Sequence, residues 1–265
     1  MSVEFVRFET EKRAGDALFN EIRRYLIDAP GYHETESDGS VGSRTATSPF
    51  VVMLAGGSTP LGVYRRLAAE PPNRLHPAAH VMISDDRYVP MDDPRSNFGN
   101  ILPTTHALGL PDTRCIYVDA TLPIDAAVAG YAERIRTLAA RQALFALGVL
   151  GIGTDGHTAS LFSADMVDSI NGRETRTVEP GEGVLLTEHT YPLALHTGRY
   201  DGVERVSAGT AVLLSFRKLI FFATGAGKRD VLYQISRRPE DYPAGRVLLQ
   251  HPNAFIWTDE APRVG

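Results

Sequence analysis

Apolar runs and helical stripes alternate along the 265 residues. Val3–Phe8 follows the two-residue rhythm of a strand. Thr10–Ile27 then sets Leu18, Phe19, Ile22, Tyr25 and Leu26 on one helical side. From Phe50, "FVVMLAGGSTPLGVYRRLAAE" reads as strand, glycine turn, helix. Short apolar runs predict strands at Val81–Ser84 and Ile116–Val118, and Ile124–Leu144 has the pattern of a long helix. Ala143–Leu150 reads as a buried strand that turns through "GIGTDGHTASLF" (151–162) into a helix from Thr158. Two apolar segments follow, Val184–Leu186 and Ala211–Leu214. "KLIFFATGAGKRDVLYQI" then repeats the strand, glycine turn, helix order, and "NAFIWTD" closes as a strand. This alternation predicts an α/β fold: a three-layer α/β/α Rossmann-like domain with a mostly parallel sheet covered on both faces. No composition shift marks a boundary, so residues 1–265 are expected to form one domain. The Gly/Ser/Thr-rich stretch 28–48 reads as a long surface loop, mobile or a lid, and 165–183 as a second polar stretch.

In such a sheet, ligands bind beyond the carboxyl ends of the strands. Four loops stand there, 55–60, 84–99, 151–158 and 224–228, and they carry the unusual chemistry of the chain. In "AGGSTP", Gly56 and Gly57 allow close backbone approach, and the N–H groups around Ser58 and Thr59 would favour an anion at a helix start. Pro60 suits the first helical position, and an ordinary turn with Thr59 as N-cap fits equally well. The loop "SDDRYVPMDDPRSNFGN" gathers Asp85, Asp86, Arg87, Asp92, Asp93, Arg95 and Asn97. Its carboxylates could suit a hard cation, but the spacing is irregular and no histidine joins them, so no metal is expected. Arg87, directly after a buried strand, could grip a phosphate with two parallel hydrogen bonds. Lys228, past the glycines of "TGAGKRD", is a second cation on the same rim, and Arg205 in "GVERVSAG" is a weaker one.

"GIGTDG" also spells the G-x-G-x-x-G dinucleotide fingerprint. That fingerprint needs an acidic residue about 20 positions on, after a second strand, where this chain reads "DSINGRETRTVEPG" with no strand pattern. Asp155 would also repel a pyrophosphate. A nicotinamide cofactor is therefore not expected. His157 instead reads as a general base, kept neutral by a helix N-terminus, with Asp155 orienting it through backbone geometry or a direct hydrogen bond.

Composition narrows the class. A net charge of −5 argues against a general nucleic-acid binder, which normally carries a basic face, and 43% hydrophobic with 22% charged residues is ordinary for a globular enzyme. Cys115 is the one cysteine, so neither an intrachain disulfide nor a cysteine-rich metal site can form. No run approaches the length of a membrane span, and "MSVEFVRFETEKR" lacks a secretory pattern, so a cytoplasmic protein is expected.

"LAGGSTP", "SDDRYVPMDDPRSNF", "GIGTDGHTASLF" and "TGAGKRD" occur in the order and spacing of the 6-phosphogluconolactonases, which the chain resembles over about residues 50–260. That family shares a superfamily with the glucosamine-6-phosphate deaminases. The resemblance implies hydrolysis of 6-phospho-D-glucono-1,5-lactone in the pentose phosphate pathway, with no cofactor and no metal. It implies His157 as the base that activates water, and Arg87 and Lys228 as contacts to the substrate phosphate. Backbone N–H groups of the turn around Gly153 would serve the oxyanion. The expected partner is the phosphosugar lactone, with no nucleic acid or membrane, for a monomer or weak homodimer. The chain departs from the family pattern at Ser163 and around Arg205, where no proline precedes the arginine and Ser207 replaces threonine. A deaminase or phosphosugar isomerase would share the frame, but the deaminase pattern carries a glutamate soon after its histidine, where this chain reads Thr-Ala-Ser-Leu-Phe-Ser. A non-catalytic phosphosugar sensor is the other alternative, and turnover separates it.

Overall fold

The structure, a computed structural model, describes residues 3–29, 48–168 and 192–260. Val184–Leu186, nearly all of the 28–48 loop and most of the 165–183 stretch lie outside the described residues. In chain order the elements are β1 (Glu4–Arg7), α1 (Glu11–Asp28), β2 (Phe50–Leu54), α2 (Ser58–Ala69), β3 (Ala79–Ile83) and β4 (Asp85–Arg87). Next come α3 (Asn97–Ala107), β5 (Cys115–Ile116), α4 (Ile124–Ala140), β6 (Leu144–Leu150), α5 (Ala164–Asp168), β7 (Ala194–Tyr200) and β8 (Val203–Ala208). The chain closes with α6 (Thr210–Leu214), β9 (Lys218–Phe222), α7 (Arg229–Arg237), α8 (Pro243–Gln250) and β10 (Ala254–Thr258).

Seven strands pair in parallel in the order β1-β10-β9-β6-β2-β3-β5, with helices on both sides. Every residue of β2, β3 and β6 is buried, as a sheet covered on both faces requires. The first helix shows how local signals and packing agree. Thr10 accepts a hydrogen bond from the Arg13 N–H as N-cap, and Leu18, Phe19, Ile22, Tyr25 and Leu26 are buried along one stripe. From β2 the sheet grows outward through β3 to β5; the chain then returns to lay β6 on the other side of β2 and grows through β9 to β10. The strand order therefore reverses between β2 and β6, which places a crevice beside the loops after β2, β6 and β9.

Three expectations are corrected. The helix predicted over Ile124–Leu144 stops at Ala140, because Gln142 takes a left-handed φ of 56° and Leu144 already belongs to β6. No helix starts at Thr158. Ala159 has φ 48° and Thr158 forms an antiparallel bridge with Leu161, so the next helix waits until Ala164. Asp85–Arg87, read as loop, is β4, one strand of a second sheet ordered β4-β8-β7. In that antiparallel sheet the β7–β8 hairpin turns at Asp201 and Gly202, both with positive φ (50° and 74°), the conformation an Asp-Gly turn favours.

Candidate active site

A cleft of about 260 Å³ opens at the carboxyl ends of β2, β6 and β9, with the small sheet supplying part of its lining. Of the sequence-predicted residues, Gly56, Gly57, Ser58, Thr59, Asp85, Arg87, Gly153, His157, Arg205 and Lys228 all line it. Asp155 does not, but its carboxylate contacts two residues that do, His157 and Tyr200. Asn97, Ser160, Phe162, Tyr200 and Asp201 also line the cleft.

One part of the cleft is cationic. Helix α2 starts at Ser58 after Gly57, whose φ of 94° suits glycine, and no side chain caps its first turn. Thr59 is thus the second helical residue and not the N-cap, and Pro60 is the third and not the first. Gly56 must stay small, because a Cβ there would overlap the Asn97 side chain. Arg87 and Arg205 are direct partners across the antiparallel β4–β8 pair. Like charges placed opposite one another repel. Arg87 Nη1 donates to Asn97 Oδ1 at 2.5 Å and to the Arg95 carbonyl at 3.0 Å, whereas Arg205 Nη2 donates to the Tyr200 carbonyl at 3.4 Å. The Nε atoms of both guanidinium groups are buried without a hydrogen-bond partner. Burial, then the Arg87 charge, holds Arg205 below the usual arginine range. Lys228 Nζ donates to the Ile152 carbonyl at 2.6 Å, and burial lowers its pKa against the opposing pull of Asp155. Desolvated cations with unused donors suit a multiply charged anion.

The carboxylates beneath this region are committed elsewhere. Asp85 accepts from the hydroxyls of Ser84 and Ser160, both at 2.6 Å, and so ties β4 to the 158–161 turn. Asp86 accepts from the N–H groups of Asn97 (2.6 Å), Phe98 (3.1 Å) and Arg87 (2.8 Å), fixing the start of α3 and with it the Asn97 contact to Arg87. Burial pushes the Asp86 carboxyl up to about 7, against the pull of the Asn97 and Phe98 N–H groups; the Asp85 charge adds to the rise. Asp93 pairs with Arg95 at 2.6 Å. Among the described residues no group of three or more His, Cys, Asp or Glu side chains is placed to hold a metal ion.

The other part of the cleft is built around an imidazole. His157 Nδ1 lies 2.6 Å from Asp155 Oδ1, which also accepts the His157 N–H at 3.2 Å. An ionised carboxylate can only accept, so Nδ1 is the donor, and in the neutral ring this tautomer leaves the lone pair on Nε2. Burial raises the Asp155 carboxyl, but the contacts with His157 and the Tyr200 hydroxyl outweigh it and leave the group below the usual range. Because no helix starts here, no helix dipole acts on the ring: a direct hydrogen bond orients it. The turn itself is tight. The Gly153 N–H donates to the His157 carbonyl at 2.8 Å, and a Cβ on Gly153 would overlap the imidazole. Gly156 has φ 86°, and a Cβ there would strike Tyr242. A base with a free Nε2, beside a cationic cradle, can activate water against an ester that carries an anionic handle.

Sequence reasoning missed Tyr200, Phe162 and Asp201. The Asp201-Gly202 turn was the available signal, since Asp-Gly flanked by strand residues marks a hairpin. It would have brought Tyr200 to the end of β7, beside the cleft.

The family model described as "Glucosamine-6-phosphate isomerases/6-phosphogluconolactonase" matches residues 40–257. The chain is 43% identical over 185 residues to the 6-phosphogluconolactonase of Thermotoga maritima, covering 67% of this chain and 80% of that one. It is 30% identical over 230 residues to the 6-phosphogluconolactonase of Homo sapiens, covering 82% of this chain and 80% of the human one. The crystal structure of a 6-phosphogluconolactonase from Thermotoga maritima superposes with a TM-score of 0.69 at 25% identity, over 98% of this chain and 99% of that one.

Proposed function

The chain belongs to the glucosamine-6-phosphate isomerase/6-phosphogluconolactonase family, and from that premise we infer that it hydrolyses 6-phospho-D-glucono-1,5-lactone to 6-phosphogluconate, the lactonase step of the pentose phosphate pathway. The observation that carries the assignment to this cleft is its pairing of two parts: arginines with unpartnered buried Nε atoms, and an Asp155–His157 dyad with a free Nε2.

In this reading the phosphate sits against Arg87, Arg205 and Lys228, at the uncapped start of α2. That leaves the lactone carbonyl for the dyad. His157 Nε2 takes a proton from water as the water oxygen bonds to C1, and the carbonyl π pair moves onto oxygen. The turn around Gly153, expected from the sequence to hold the oxyanion, has its Gly153, Gly156 and His157 N–H groups already paired within itself, so none of these three is free to do so. The oxyanion collapses, the bond from C1 to the ring oxygen breaks, and the imidazolium returns its proton to that oxygen. Asp155 stays ionised throughout, holding the ring and its transient charge. The reaction needs no cofactor. The same reading takes residues 1–265 as one domain, a monomer or weak homodimer acting in the cytoplasm, with a phosphosugar lactone and no nucleic acid or membrane as its partner. No described helix is long and apolar enough to cross a membrane.

The test is hydrolysis of freshly generated 6-phosphogluconolactone, with the product read by a coupled dehydrogenase. We expect turnover well above spontaneous opening, and no ammonia release from glucosamine 6-phosphate. A chain that binds the lactone without turning it over would be a sensor, and ammonia release would make it a deaminase.

A further inference from the structure

We propose that Tyr200, at the end of the β7–β8 hairpin, is a positioning residue that sets the Asp155 carboxylate and through it the His157 imidazole. This rests on the reading of His157 as the base. Asp155 offers Oδ1 to the imidazole, while the Tyr200 hydroxyl donates to Oδ2 at 2.9 Å. The two oxygens are thus held from opposite partners, and the carboxylate cannot rotate without breaking one bond. The hydrogen bond to Asp155, then burial, raises the Tyr200 pKa, so the phenol stays protonated and remains a donor.

The ring, though exposed, also has aromatic partners. Tyr200 stacks on Phe162 with centroids 4.1 Å apart and planes 4° from parallel, and meets the His157 ring edge-on at 5.4 Å. Phe162 lies at 5.1 Å from His157. Two aromatic rings therefore pack against the imidazole at steep angles, and one phenol restrains its carboxylate. The Tyr200 ring is held from a second direction by the Arg205 guanidinium, 5.7 Å from its centroid. Arg205 lies on β8, so the hairpin links the cationic part of the cleft to the dyad.

The hydroxyl touches Asp155 and acts through it, so its loss should fall on turnover and not on substrate affinity. Tyr200→Phe keeps the ring stack and removes only the donor. We expect kcat to fall roughly tenfold, the usual worth of a hydrogen bond to a charged group, with KM unchanged. In an Asp155→Asn background the same change should cost nothing further, because the amide no longer anchors the ring in the same way. Unchanged kcat in Tyr200→Phe would overturn the proposal, as would a rise in KM alone, which would make Tyr200 a substrate contact. An equal kcat loss in the Asp155→Asn background would overturn it too, since the phenol would then act independently of Asp155. His157→Ala, measured alongside, separates the two readings. If that variant keeps full turnover, the base assignment fails by itself and the proposal falls with it. If it loses turnover while Tyr200→Phe does not, only the positioning role fails.

Discussion

On the β4–β8 ladder, two arginines stand opposite each other with buried Nε atoms that bond to nothing, and Lys228, which lines the same cleft, donates to the Ile152 carbonyl. In the 153–157 turn, the Asp155 carboxylate is taken up by His157 and Tyr200, and the Gly153 N–H and His157 carbonyl are paired with each other. The first region leaves donors unspent and the second spends nearly all of its own. The contrast separates two tasks. Donors left over in a desolvated cradle suit a ligand that brings its own charge, so the cradle should set affinity. A saturated, sterically confined imidazole has one free atom, Nε2, so the turn should set rate.

The largest expected effect breaks the turn. His157→Ala should cut kcat by roughly 10²–10⁴, the usual worth of a general base, while KM for the lactone stays near that of the parent chain. Steady-state kinetics checks both numbers. A large KM change would mean that the imidazole binds substrate and that the two regions are not separate.

Next comes the cradle. Arg87→Ala or Arg205→Ala should raise KM by roughly 10- to 100-fold, the range for charge-assisted hydrogen bonds, with kcat held within a few-fold. Saturation curves carried to high lactone concentration distinguish this from loss of turnover. A kcat collapse at unchanged KM in either variant would contradict the division.

Gly156→Ala sharpens the steric half of the comparison. The residue sits at φ 86° against the Tyr242 ring, so the added methyl should cost roughly 1–3 kcal/mol of stability, as strained left-handed residues do. Thermal unfolding reads it, and an unchanged melting temperature would show that the turn yields more easily than its contacts suggest.

The smallest effect concerns the support under the cradle. The folded protein holds a proton on Asp86 up to about 7, whereas the unfolded chain gives it up near 4. Between those values unfolding releases a proton, so this group's contribution makes stability fall as pH rises. Asp86→Asn should flatten that part of the stability–pH curve. A slope that survives the change would assign it to other groups.

Much of this was legible in the chain. Apolar runs located β2, β3, β6 and β9, because a strand buried on both faces has nothing but apolar residues to offer. The four rim loops followed from parallel topology, and ten of the eleven named site residues line one cleft. The small sheet was not legible as strands, because β4 is three residues of Asp-Asp-Arg and β8 carries Glu204 and Arg205 among its apolar positions. Its pairing is decided by long-range register, which no local pattern encodes. The helix expected from Thr158 in "GIGTDGHTASLF" does not form: Ala159 is left-handed and Thr158 bridges Leu161 instead. The imidazole is held by a carboxylate two residues away, not by a helix dipole.

The central claim is that the cradle reads a phosphate while the dyad opens a lactone. Measuring kcat/KM for freshly prepared 6-phosphogluconolactone and for unphosphorylated gluconolactone, on the unaltered chain, tests it most directly. Loss of several charge-assisted hydrogen bonds at once should favour the phosphorylated lactone by about 100-fold or more, with its hydrolysis well above the spontaneous rate. Equal values for the two lactones, or no acceleration of either, would contradict the account.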